Sequence, residues 1–135
     1  MTILLEPLIQ EIRDALSDSP FDLSDDKLLL NALKDSYDYI RMVVDEDLQP
    51  EMFVRRCLIR LATYEAYRNY TGLASVQDNT VPETAGLQLS SLLMKAYACL
   101  TMIAKVPINE DLSLKDTNYP TPVGSGLTNS SVMSV

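Results

Sequence analysis

The stretch Ser24-Asp-Asp-Lys-Leu-Leu-Leu-Asn-Ala-Leu-Lys-Asp-Ser-Tyr-Asp-Tyr-Ile-Arg-Met-Val-Val44 sets the class of the chain. Leu29, Leu33, Tyr37, Ile40, Val43 and Val44 recur at helical spacing and make one apolar stripe. Lys27, Asn31, Lys34, Asp35, Asp38 and Asp45 fall mostly off it. Ser24, Asp25 or Asp26 can accept from the free amides of the first turn, and their acidity suits the positive end of a helix. Asp45-Glu46-Asp47 stands where this helix should end, an unfavourable place for negative charge. Leu48-Gln49-Pro50 then makes a turn.

Working outward, the same periodicity continues on both sides. Leu5, Leu8, Ile9, Ile12, Ala15 and Leu16 predict a helix over about 5–16, with Pro7 in the first turn and a stop at Ser17-Asp-Ser-Pro20. A third helix is expected from Pro50 to about Tyr70, with Val54, Cys57, Leu58, Leu61 and Tyr64 inside, and Gly72 is placed to end it. Arg56 and Arg60 point away from that stripe, four residues apart, and Arg68 can pair with Glu65. A polar connector follows over 73–82.

The fourth helix is expected from Glu83 or Thr84 to Val106. Its inner stripe is Leu89, Leu92, Leu93, Ala96, Tyr97, Leu100, Ile103 and Ala104, yet Met94, Ala98 and Met102 occupy the opposite face, where charge is usual. Either this helix is central to the monomer's own core or its second face meets another chain. Past Pro107 the periodicity is lost, and prolines at 107, 120 and 122 with glycines at 124 and 126 exclude a long helix. The fold class is thus all-α: a small bundle of about four helices over 1–106 and an extended C-terminal tail over 107–135. After Asp116 the tail carries no charge, so it reads either as a plain disordered end or as a segment ordered on a partner, with Tyr119, Leu127, Val132, Met133 and Val135 as its apolar contacts.

Composition narrows the function. Of 135 residues none is histidine, which removes the histidine-based triads, histidine-ligated zinc and the usual acid/base group near neutral pH. Two cysteines, Cys57 and Cys99, are too few for a disulfide framework or a thiolate metal site and read as small core residues. The four glycines are isolated, so no phosphate-binding loop is present. No catalytic residue, metal ligand set or cofactor motif is expected, and an enzyme built on carboxylates alone is the remote alternative. The apolar run 87–104 is interrupted by Gln88, Ser90, Ser91, Lys95 and Thr101, which argues against a membrane span. The start of the chain lacks a basic targeting pattern.

The net charge is −8, which disfavours wrapping duplex DNA. Residues 1–49 hold 12 acidic and 4 basic groups, whereas residues 50–72 hold 2 acidic and 4 basic. Asp45, Glu46 and Asp47 make an acidic surface; a cation site there lacks the loop spacing it would need. Arg56 and Arg60 can touch phosphates or pair with acids of the same or a neighbouring subunit, and the acidic whole favours pairing. Opposite patches on one subunit favour head-to-tail contact between copies.

Two stretches carry a resemblance. Asp25-Asp-Lys-Leu-Leu-Leu-Asn-Ala-Leu-Lys-Asp-Ser-Tyr-Asp-Tyr-Ile40 and Leu61-Ala-Thr-Tyr-Glu-Ala-Tyr-Arg-Asn69 resemble the phage head–tail connector (adaptor) family. There, an acidic cap opens a leucine-rich helix ending in an aromatic–Ile pair, and a proline-started helix closes on an aromatic–acid–x–x–Arg pattern. The likeness covers about residues 24–72. It implies a structural, non-enzymatic subunit of a homo-oligomeric ring of twelve copies in the virion, made in the host cytoplasm and placed at the head–tail junction. The ring would dock on the portal protein through C-terminal segments, meet a tail or stopper protein below, and pass DNA through its lumen without specific binding. Met94, Ala98, Met102, Arg56 and Arg60 would be its subunit contacts. The competing reading is a small helical protein-binding module or regulator, monomeric or dimeric.

Overall fold

A computed structural model describes residues 2–76 and 81–115. Four helices follow in order: α1 (Ile9–Ala15), α2 (Asp26–Val43), α3 (Glu51–Val76) and α4 (Ala85–Thr101). The described residues form no strand, only two isolated bridges. The chain is a small all-α bundle, as its periodicity predicts.

α1 is shorter than its apolar pattern. Glu6–Leu8 form a tight 3-10 turn, with Pro7 where no N–H is needed, and the α-helix proper starts at Ile9. Ile9 and Ile12 are buried against the bundle. At the entry to α2 the Asp25 carboxylate accepts from the Lys27 amide at 3.0 Å, so Asp25 is the cap among the three candidates. Arg13 of α1 fixes this entry by pairing with Asp26 and donating its Nε–H to the Leu23 carbonyl at 2.7 Å.

The stripe of α2 is the floor of the core. Leu29, Leu33 and Ile40 are fully enclosed and pack with Val54, Leu58 and Leu61 of α3. Phe21, in the segment before α2, stacks on Tyr70 and meets Tyr67 edge-on, each at 5.6 Å between ring centroids.

α3 runs six residues past Tyr70, to Val76, so Gly72 lies inside the helix and does not end it. A Cβ at Gly72 would meet nothing within 4 Å. Its only cost is backbone freedom, about 1 kcal/mol, which the continued packing of Tyr70 and Ala74 offsets. The expected connector over 73–82 is therefore helical through 76, and 77–80 lie outside the described residues.

α4 ends at Thr101, before the expected Val106. There the chain turns to join the end of α2: the Lys105 amide donates to the Val43 carbonyl at 2.7 Å, and Ala104 bridges Val44. Ile103 is buried by that turn. Cys57 and Cys99 are core residues, as expected, but they are also joined in a disulfide, with Cα atoms 5.5 Å apart. It links the inner faces of α3 and α4, a pairing that a reading of each helix alone does not supply.

Residues 107–115, expected as the start of a tail, fold back onto the bundle. Ile108 bridges Leu114 and is 3% exposed, and the Asn109 amide donates to the Ser113 carbonyl at 2.8 Å. The packed unit thus extends past the expected boundary at 106 to Lys115. The rest of the expected tail, 116–135, lies outside the described residues.

Candidate functional site

Three surfaces stand out once the core is subtracted. The first is the outer face of α4. Leu87, Met94 and Met102 are 76%, 69% and 82% exposed, and Ala98 is exposed between them. Their spacing puts them on one line down the helix. The inner residues Ala96, Cys99 and Leu100 are buried on the other side. Among the described residues nothing covers the second apolar face of α4, so the packed helices do not enclose it on both sides. Exposed apolar rows of this kind mark contact surfaces.

The second surface is the first half of α3. Arg55, Arg56 and Arg60 lie with Met52 and Ile59 around a shallow groove, and Glu11 of α1 forms part of its wall. Arg55 pairs with Glu51 at 2.7 Å, one turn away. Arg56 sits over the Phe53 ring at 5.8 Å. Among the described residues Arg60 has no ion-pair partner. Leu48 and Met52 are 77% and 67% exposed beside this basic patch. Arginine interleaved with Met and Phe is the composition of protein-contact surfaces.

The third surface is a cleft of about 400 Å³ between α2, α3 and the 107–115 turn. Asp35 and Ser36 come from α2, Glu65 and Arg68 from α3, and Asp111 and Ser113 from the turn. Tyr39, Leu61, Tyr64 and Leu112 complete its walls. Arg68 meets Glu65 at 3.2 Å, as the sequence predicts. Asp111 accepts from the Ser113 hydroxyl and, at 3.0 Å, from its amide; these bonds hold its carboxyl below the usual carboxylate range. The Tyr39 hydroxyl donates to the Leu112 carbonyl at 2.6 Å, and Leu112 is held in the left-handed region at φ 72°. Burial pushes the Tyr39 phenol above its ordinary value, and Asp111 adds to the effect. The Ser36 hydroxyl is buried and has no hydrogen-bond partner among the described residues.

The acidic run behaves differently from a free patch. Because α2 has already ended at Val43, Glu46 and Asp47 open a new 3-10 turn, Glu46–Leu48, where negative charge is favourable. Glu46 accepts from the Tyr37 hydroxyl at 3.0 Å and faces Arg41 at 3.7 Å, so it is a half-buried brace. Arg41 also lies over the Tyr37 ring at 4.5 Å. Burial first, and the bond to Glu46 second, raise the Tyr37 phenol above its ordinary value.

Compared with known protein families, curated proteins and solved structures, the chain matches none. Its own geometry therefore carries the functional argument. Among the described residues no group of three or more acidic or cysteine side chains is placed to hold a metal ion. No helix there is long and apolar enough to cross a membrane. Of the residues singled out from sequence, Met94, Ala98 and Met102 share one face, and Arg56 and Arg60 share another. Tyr119, Leu127, Val132, Met133 and Val135 lie outside the described residues. The cleft is the part that sequence reasoning missed. Its acids are drawn from three elements, and only the Glu65–Arg68 pair was visible as a signal.

Proposed function

We propose that this chain is the repeating structural subunit of a viral head–tail connector (adaptor) ring that docks on the portal protein and continues the DNA channel toward a tail or stopper protein. The observation that carries the reading is the outward apolar row of α4, Leu87, Met94, Ala98 and Met102. A helix finished for water would carry charge at those positions. In a closed ring each such face is covered by the next copy, at every position round the circle. The resemblance of residues 24–72 to the adaptor family and the all-α bundle support the same reading. The charge of −8 supports a lumen through which DNA slides without adhering. The C-terminal segment 116–135, with Tyr119, Leu127, Val132, Met133 and Val135, is assigned to portal docking. No step in this function is catalytic.

The test is assembly. The purified chain, mixed with the portal protein of the same virus, should give rings stacked on the portal by electron microscopy. A chain truncated after Asp116 should keep its helicity by circular dichroism and lose docking. A full-length chain that ignores the portal and forms no ring at any concentration overturns the proposal in favour of a monomeric or dimeric binding module.

A further inference from the structure

We infer that the cleft between α2, α3 and the 107–115 turn is a receptor for a guanidinium group, and that its occupant is Arg60 of a second copy of this chain, with Arg56 beside it. The inference rests on the reading of the chain as a self-assembling subunit and names the junction.

Charge is the first argument. Asp35, Glu65 and Asp111 face one cleft from three separate elements, against the single cation Arg68. Arg68 is already engaged by Glu65, so negative charge is left over. The second argument is an open hydrogen bond. Ser36 is 1% exposed, its residue lines this cleft, and its hydroxyl has no partner among the described residues. A buried hydroxyl without a partner is costly; the oxygen itself is enclosed, so a donor relieves it where the cleft wall opens at Ser36. The third is shape. The acids do not converge as metal ligands do. A guanidinium carries five donors in a rigid plane, which suits acceptors spread round a wall. Leu61 and Leu112 offer apolar surface to the methylene stem of such a side chain.

The second copy supplies the matching surface. Arg60 lacks an ion-pair partner among the described residues, and Met52 is 67% exposed in the same groove. At about 100° per residue, Arg60 and Glu65 leave α3 about 140° apart, and no ion pair among the described residues joins Arg60 to the acids of its own cleft. A second copy that brings its Arg60 to the cleft makes a head-to-tail contact. Opposite charge on the two faces fixes the direction of that contact.

Neutral variants test the junction without a portal. An Asp35→Asn, Glu65→Gln chain keeps the arginine face and loses the cleft; an Arg56→Gln, Arg60→Gln chain does the reverse. With folding verified by circular dichroism, each alone should show self-association at least tenfold weaker than the unaltered chain in sedimentation velocity. Mixed, they should form a capped one-to-one pair, because one complete junction remains and neither end can extend. Variants that associate like the unaltered chain, or a mixture that stays monomeric while the unaltered chain associates, overturn the inference. A capped pair from a protein that forms only open chains and ignores the portal supports the junction and overturns the connector reading. Rings built from a chain carrying all four substitutions overturn the junction and leave the connector reading standing. An unaltered chain that stays monomeric at millimolar concentration, with or without portal, overturns both.

Discussion

α2 and α4 are of nearly equal length, 18 and 17 residues, and each buries one apolar stripe. They differ on the outside. α2 presents Lys27, Asn31, Lys34, Asp35, Asp38 and Arg41 to solvent, with Met42 its one exposed large apolar side chain, whereas α4 presents Leu87, Met94, Ala98 and Met102, with Lys95 its one formal charge. They differ also at their starts: Asp25 caps α2 through its side chain, and Thr84 makes no such bond to α4. The inner faces obey one rule, burial, and are interchangeable in kind. The outer faces differ in chemistry: mostly charged and polar on α2, mostly apolar on α4.

The largest expected effect probes the inner face of α4. The Cys57–Cys99 disulfide closes a loop with a sequence separation of 42. Loop-closure entropy for that length is worth about 4 kcal/mol. Urea unfolding with and without a thiol reductant should show a loss of that order, and the Cys57→Ala, Cys99→Ala chain should be insensitive to the reductant. Equal midpoints with and without reductant would mean that packing alone holds α4 down. Next comes the inner face of α2: Leu33→Ala, at a fully enclosed position, should cost about 3 kcal/mol through lost transfer and an unfilled cavity. Third, Asp25→Ala should cost about 1 kcal/mol and Thr84→Ala almost nothing, a contrast readable in thermal melts. The smallest stability effect belongs to the outer face of α4. Met94→Lys with Met102→Lys should shift monomer stability by less than about 0.5 kcal/mol while abolishing ring assembly on the portal. A large drop in monomer stability from that pair would show that the outer row serves the fold instead.

Much of the bundle was legible because its signals are local. The stripe of α2 and its acidic cap lie within one window, so element and start could be read together. The second apolar face of α4, with Met94, Ala98 and Met102, was legible from spacing, whereas its exposure was not, because the same spacing suits a helix buried on both sides. The end of α3 was not legible, because Gly72 stops a helix only when packing no longer favours its continuation, and Tyr70 and Ala74 still pack. Nor was the end of α4, since the Ala104–Val44 bridge depends on where α2 stops. The disulfide and the cleft were hidden for one shared reason. Cys57 and Cys99, like Asp35, Glu65 and Asp111, meet only after the helices are packed, and each looks ordinary in its own segment.

The bond from Tyr39 to the carbonyl of Leu112 spans 73 positions of chain. It moors the last described stretch of polypeptide to the C-terminal part of α2. The chain continues past Lys115 from that same stretch, which also forms one wall of the acidic cleft. A pull on the chain at Lys115 is met first by its amide bond to the Pro107 carbonyl and by the Ile108–Leu114 bridge, and only then by the turn that carries Asp111 and Ser113. The paired ends of this turn are thus a clamp that holds the cleft wall in shape.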